Sequence, residues 1–223
     1  MATVSKAKLC DQTTKDLIFG YLKATHTQLP QIVKYLSMAY YNTAEYFKNY
    51  RRDCFKVSNN GTVITNIKSI SYTRNQIFGH QRIPSISNKV YTWRLKMKAQ
   101  YCFFGITSEP ESEQNTKTAF GAHINSFPHS HPYYLIHSMG RTYHKGVSQR
   151  KKCTKTLFVS IDTLDLILDP SQGKLSCIIN GNKKKEFIAF DNIITGENIN
   201  YTLTIMMPAV RGDAISLENF NVK

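Results

Sequence analysis

The apolar residues of this chain change their period at Cys54, and that change limits the fold more than any other feature. Upstream, Leu17, Ile18, Tyr21 and Leu22, and then Ile32, Val33, Leu36, Ala39, Tyr40, Thr43, Tyr46 and Phe47, recur every three or four residues, the spacing of a single helix face. Downstream, apolar and polar residues alternate, as in strands with one dry and one wet side. In Val90 to Lys98 the residues Trp93, Leu95 and Met97 alternate with Arg94, Lys96 and Lys98. Leu164, Leu166 and Leu168 form a second such set, Leu175, Cys177 and Ile179 a third, Tyr201, Leu203, Ile205 and Met207 a fourth, and Ile215 with Leu217 closes the chain. Turn residues punctuate these runs. Asn59-Asn60-Gly61 supplies the positive φ angles of a tight hairpin, and Pro170-Ser171-Gln172-Gly173 joins two of the leucine runs. Many short strands with almost no helical signal after residue 54 predict a mainly β fold, a two-sheet antiparallel β-sandwich over residues 54–223.

The upstream segment predicts a helical pair. Thr13 or Thr14 can cap a first short helix. Thr27 with Pro30 in its first turn opens a second, expected to run to about Asn49. Residues 1–11 read as a flexible arm, and 12–50 as a helical lead-in packed on the sandwich, with a dimer contact as the alternative use of its apolar stripe.

Bulk properties narrow the class. At 223 residues, 41% hydrophobic and 20% charged, the chain can bury one large core. No stretch reaches the length of a membrane span, and the first residues hold no apolar run of signal-peptide type, so a cytoplasmic or nuclear location is expected. Five cysteines, at 10, 54, 102, 153 and 177, form neither a CxxC pair nor a zinc spacing; Cys102 and Cys177 sit in apolar runs and read as small hydrophobes. A formal charge of +14 favours anionic partners.

The order of motifs after residue 54 resembles the SPRY family. Trp93-Arg94-Leu95-Lys96-Met97, Gly105-Ile106, Tyr143-His144-Lys145-Gly146, Leu168-Asp169 through Gly173 and Leu175, Asn180-Gly181, Ala189-Phe190 and Tyr201-Thr202-Leu203 follow one another as that family's strand and hairpin signatures do. The chain departs from the pattern at Ile161, where the family has glycine, and at Cys177, where it has an aromatic, which marks a remote member. The resemblance implies a binding scaffold without catalytic residues, in which loops at one rim of the sandwich take a peptide or protein partner.

The residues agree with a non-enzymatic role. No G-x-S-x-G, H-E-x-x-H or G-x-x-x-x-G-K-[ST] element occurs. His123, His129, His131, His137 and His144 fall within one span, but Pro128 and Pro132 place the His129-Ser130-His131 element in a loop, and no cysteine or carboxylate pair completes a tetrahedral set; no metal and no cofactor are expected. Arg74, Arg82, Tyr134, Arg141 and Tyr143 are the candidate partner-binding residues, because they lie in or beside stretches that form rim loops in this fold and combine bidentate cations with aromatic contact area. Tyr134 and Tyr143 also alternate as core strand residues do. The expected ligand is an acidic or phosphorylated protein segment. The alternative is a basic nucleic-acid-binding protein, against which stands the spread of positive residues along the chain without one dominant basic segment.

Overall fold

The computed structural model describes residues 45–50, 54–67, 70–99, 102–108, 132–144, 147–152, 163–182, 186–209 and 211–223. The chain divides into two compact units, Met1–Ala44 and Glu45–Lys223, and all described residues belong to the second. The arm and most of the helical pair expected from the sequence therefore lie outside the described residues.

The second unit is built from fifteen described strands: β1 (Phe47–Tyr50), β2 (Phe55–Ser58), β3 (Val63–Asn66), β4 (Ile70–Gly79), β5 (Ile83–Pro84), β6 (Tyr91–Lys98), β7 (Phe103–Thr107), β8 (Tyr133–His137), β9 (Arg141–His144), β10 (Val147–Lys152), β11 (Thr163–Asp169), β12 (Lys174–Ile179), β13 (Phe187–Phe190), β14 (Asn200–Ala209) and β15 (Ala214–Val222). They form two antiparallel sheets. The first has the order β1-β4-β14-β7-β8-β9-β10, with β5 pairing off β14, and the second has the order β13-β12-β11-β6-β15-β3-β2. The alternation read from the sequence is realised: Trp93, Leu95, Met97, Leu164, Leu166, Leu168, Leu175, Cys177, Tyr201, Leu203, Ile205, Met207, Ile215 and Leu217 share one continuous core with Phe104, Ile106, Tyr134 and Ile136. Cys102 and Cys177 are buried in that core as small hydrophobes, and burial pushes the Cys102 thiol well above its ordinary value.

The turns also follow their sequence. Asn59 and Asn60, at φ 51° and 53°, make the reversal between β2 and β3, whose register pairs Ser58 with Val63. Pro170–Gln172 is a single 3-10 turn between β11 and β12; the Asp169 carboxylate accepts from the Gln172 N–H at 3.2 Å and the Ser171 hydroxyl at 2.7 Å. Gly105 sits in the middle of the β7–β8 pairing, opposite Leu135. A Cβ there would collide with the Tyr134 carbonyl oxygen and lie 3.0 Å from Leu135 Cα, so only glycine fits.

One expectation fails at its end. The second helix does not run to Asn49: Phe47–Tyr50 is a strand, with Phe47 opposite Gly79 and Tyr50 opposite Ile77. Tyr46 and Phe47 continue the helical spacing of the preceding segment, but main-chain pairing with β4 and burial of Phe47 in the sandwich core override local periodicity.

Candidate functional site

Short connections fix which strand ends lie together. β4 reaches β6 through residues 80–90 and β13 reaches β14 through 191–199, so these loops share one end of the sandwich with the 170–173 turn and the 59–62 hairpin; we call it the upper rim. The turns at 138–140 and 211–213 lie at the opposite end, the lower rim, with the C-terminal end of β6.

At the upper rim the core reaches up to hold the loops. Tyr134 is only 2% exposed, and its hydroxyl accepts from the Ile194 N–H at 2.8 Å. The Tyr201 hydroxyl, from the neighbouring part of the core, donates to the Ile194 carbonyl oxygen at 2.6 Å. Both ends of one loop residue are thereby tied to buried phenols. Burial raises the pKa of each, with the Ile194 N–H pulling Tyr134 partly back. Ser85 clamps the same loop from the other side: its hydroxyl donates to the Gly196 carbonyl and accepts from the Gly196 N–H, both at 2.9 Å, while its own N–H donates to the Ile199 carbonyl at 2.9 Å. The Ile193 N–H donates to the Gly173 carbonyl at 2.9 Å, which joins the 3-10 turn to the assembly.

The base of the 80–90 loop is seated by Glu45. This carboxylate is buried, and it faces N–H donors. Oε1 accepts from the backbone N–H groups of Tyr46 at 3.1 Å, His80 at 2.6 Å and Gln81 at 3.1 Å, and Oε2 accepts from the Trp93 indole N–H at 2.8 Å. Gly79 makes room for it, since a Cβ there would stand 2.8 Å from Oε1. Burial pushes the Glu45 carboxyl up to about 7, against the four donors, which pull it down. Tyr46 stacks on the His80 ring at 4.3 Å, further fixing the start of the loop.

Between these pinned loops lies a shallow, open depression of about 590 Å³ lined by Ser85, Ile86, Ser87, Asn88, Pro170, Ser171 and Thr195. Ile86 is 60% exposed and Ile194 40% exposed, so two large aliphatic side chains stand in solvent on loops that cannot easily fold away. Charges of both signs stand at this end: Arg82 and Lys89, with Lys174 and Lys223 at the same end of the second sheet, and Asp169, Asp191 and Glu197.

The five residues predicted from sequence do not form one constellation. Arg82 is exposed on the upper rim, and its Nη1 donates to the Thr202 hydroxyl oxygen at 3.2 Å on the outward side of the first sheet. Of the two uses that the sequence leaves open for Tyr134, the ring takes the core one, and its hydroxyl reaches the rim at Ile194. Its ring stacks on His144 at 4.5 Å and meets Phe190 and Tyr201 edge-on. Tyr143 is half-buried on the other face of the first sheet, in a smaller cluster with Phe103, Tyr133, Leu135 and Met206. Arg141 is exposed at the lower rim, the opposite end from Arg82. Arg74 lies in β4, with its side chain outside the described part of the structure. Of the histidines, His123, His129 and His131 fall outside the described residues, and among the described residues no cluster of three His, Cys, Asp or Glu could hold a metal ion. Sequence reasoning misses Glu45, Ser85, Ile86 and Ile194. The exposed isoleucines are findable, as apolar residues inside turn-rich stretches, whereas nothing in the sequence marks Glu45 as buried.

Comparison with known proteins agrees with this architecture. No protein-family model and no curated protein matches the sequence. Among solved structures, the SPRY domain of human HERC1 superposes with a TM-score of 0.53 at 16% identity, over 77% of this chain and 96% of that one. The TRIM65 PSpry domain gives 0.53 at 10% identity, over 84% and 99%. A seed lectin of Lotus tetragonolobus gives 0.50 at 8% identity, over 80% and 92%. The chain has a SPRY-like fold, and at these identities the likeness is one of fold.

Proposed function

We propose that this domain is a non-enzymatic protein-interaction module that takes a peptide or loop of a partner across its upper rim. The observation that supports the reading is the pair of exposed isoleucines, Ile86 and Ile194, held on loops whose backbone is tied down by Tyr134, Tyr201 and Ser85. Loops already ordered lose little entropy on association, so a shallow site can be selective. The hydroxyls and amide of Ser87, Asn88, Ser171 and Thr195 around the depression suit a main chain lying across it, and the isoleucines suit an apolar side chain. Because Asp169, Asp191 and Glu197 stand among the cations of this end, the reading gives the selecting role here to the apolar anchor rather than to an acidic segment.

The nucleic-acid alternative draws on the charge of +14. A single strand is held by exposed aromatic platforms, and the large apolar side chains standing exposed among the described residues are Ile67, Ile86, Met139, Ile188, Ile194 and Val222, none of them aromatic. A cytoplasmic or nuclear setting accompanies the reading, in keeping with Cys54, Cys102 and Cys177 buried as thiols. The test is selection of a displayed random-peptide library on the full chain. Binders should share an apolar anchor and lose about tenfold or more in affinity for Ile86→Asp and Ile194→Asp. Binders that ignore both substitutions would overturn the assignment.

A further inference from the structure

The lower rim differs from the upper in charge. Lys98 ends β6, Arg141 opens β9 and Arg211 stands in the turn before β15, all three exposed. The two turns are stiff. The Met139 N–H donates to His137 Nδ1 at 3.0 Å, the Gly140 N–H to the His137 carbonyl at 2.7 Å and the Ser138 N–H to the Cys102 carbonyl at 2.9 Å, so Arg141 follows a pinned reversal. The Gly212 N–H donates to the Asn66 carbonyl at 2.9 Å, and the Asn66 N–H to the Asp213 carbonyl at 2.8 Å, which fixes the Arg211 turn to β3. The Ser138–Cys102 bond seats the reversal before Arg141 on the residue that precedes β7.

Carboxylates are fewer at this end among the described residues. Asp213 is half-buried, and its Oδ2 is buried without a hydrogen-bond partner. Glu186 is held by Lys174 at 2.8 Å. Further along the outer face of the second sheet, the Asp165 carboxylate is taken by Arg94 at 2.7 and 2.8 Å. β10 carries Arg150, Lys151 and Lys152 and sets Lys152 opposite Arg141 in register. Lys98, Arg141, Lys152 and Arg211, far apart in the sequence, thus come to one end. Met139, 46% exposed, and Ile67, 41% exposed, put apolar area beside the cations.

We propose that the lower rim is a second binding surface, distinct from the upper one, for a glutamate- and aspartate-rich segment of a partner protein that also carries an apolar side chain. Arg141 would take a carboxylate, since a guanidinium fork matches a carboxylate bidentately, Lys98 and Arg211 would add positive charge around it, and Met139 would take the apolar residue. Methionine and arginine beside one another are what protein interfaces enrich.

The experiment uses the full chain and three labelled probes: a Glu/Asp-rich peptide with a central leucine, a single-stranded oligo-dT and a duplex of equal charge. Fluorescence anisotropy is read for wild type, Arg141→Glu, Arg211→Glu, Met139→Ser and, as an upper-rim control, Lys89→Glu. Thermal melts verify that each variant folds, and Lys98→Glu replaces any that does not. The peptide should bind, weaken about tenfold for each arginine reversal and about threefold for Met139→Ser, and be unchanged by Lys89→Glu. Binding of the oligonucleotides but not the peptide would overturn the proposal in favour of a nucleic-acid surface. Equal loss with Lys89→Glu, or no loss with any lower-rim variant, would overturn it as well. Because Ile86 and Ile194 are untouched here, either outcome leaves the upper-rim assignment to its own test.

Discussion

The upper and lower rims of one sandwich are held by different chemistry. Above, the loops hang from side chains rooted in the core: the Tyr134 and Tyr201 phenols on Ile194, Ser85 on Gly196, and Glu45 on His80 and Gln81. Below, the turns are fixed by main-chain bonds, within the 138–140 reversal and to Cys102 and Asn66, and by the His137 ring, with Arg141 and Arg211 in or beside them. The difference teaches which end answers to core substitutions. Upper-rim order should fail when a buried polar group is removed, while the lower rim should respond chiefly to surface charge and salt.

The largest effect should come from a position that serves both ends. Gly105→Ala drives a Cβ into the Tyr134 carbonyl in the middle of the β7–β8 pairing, and overpacking against backbone has no rotamer to relieve it. A loss of about 4 kcal/mol or more is expected by chemical denaturation, with both binding surfaces lost together. Retention of either surface in this variant would show the rims to be less coupled through β7 and β8 than the sheet order implies.

Next comes Glu45, which bears on the upper rim. Its folded carboxyl lies at about 7 against 4.5 for the ordinary group, so the folded chain binds the proton more tightly than the unfolded one. Stability from this group is therefore fully present below about 4.5 and is lost as the pH rises through about 7, a swing on the order of 3 kcal/mol. Melting temperature should fall from pH 5 to pH 8 more steeply in wild type than in Glu45→Gln, which has no such proton to lose. Glu45→Gln should also cost stability throughout, because its amide N–H groups would confront the Trp93 indole N–H. Parallel pH profiles in the two proteins would mean the carboxyl is not the titrating group.

Much of the sandwich is legible in the amino-acid sequence, and particular residues explain why. Trp93, Leu95 and Met97, or Tyr201 through Met207, alternate so regularly that one face has to be dry, and Asn59-Asn60-Gly61 can hardly be anything but a reversal. Gly105 carries a further signal, since a glycine inside an aromatic strand marks close approach of backbone. The site is less legible. A tyrosine near a rim suits binding contact, yet the same alternation that places Ile136 inside places Tyr134 inside too, leaving only its hydroxyl to act at the surface. Arg82 and Arg141 look like partners along the chain, although β9 starts at the end opposite to the one where β4 finishes, a fact fixed by strand pairing rather than by sequence distance. Glu45 gives no signal because its neighbours continue a helical stripe and because ionisable residues are ordinarily outside. The scatter of positive charge is sorted only by strand pairing, which brings Lys98, Arg141 and Arg211 to one end and Arg82, Lys89, Lys174 and Lys223 to the other.

Tyr134→Phe separates the rims at smaller scale. The ring stays in its packing against Phe190 and Tyr201, but the Ile194 N–H loses its acceptor, at a cost of ~1–2 kcal/mol. Peptides selected on the upper rim should weaken by a factor of about 3 to 10 as the 191–199 loop loosens, and amide exchange at Ile194 should quicken, while binding of the acidic peptide at the lower rim stays as in wild type. If both surfaces weaken alike, the phenol is holding the whole sheet rather than one loop.

The smallest effect is expected at Arg82, and its smallness is informative. Its guanidinium is exposed and donates to Thr202 at 3.2 Å, but the Thr202 hydroxyl also donates to the Gln81 carbonyl at 3.3 Å, and the Gln81 N–H is already fixed by Glu45. Removing the arginine side chain therefore leaves the loop with its other supports. Arg82→Ala should change stability by less than ~0.5 kcal/mol in denaturant melts. Binding of an acidic peptide should be unaffected as well, in contrast to Arg141→Ala, because Arg82 stands at the end of the sandwich opposite to the proposed acidic-peptide surface, beyond the reach of screened charge. A loss of acidic-peptide affinity for Arg82→Ala equal to that for Arg141→Ala would show that the ligand spans both ends or that charge, not position, governs its capture, and the separation of the two surfaces would fall.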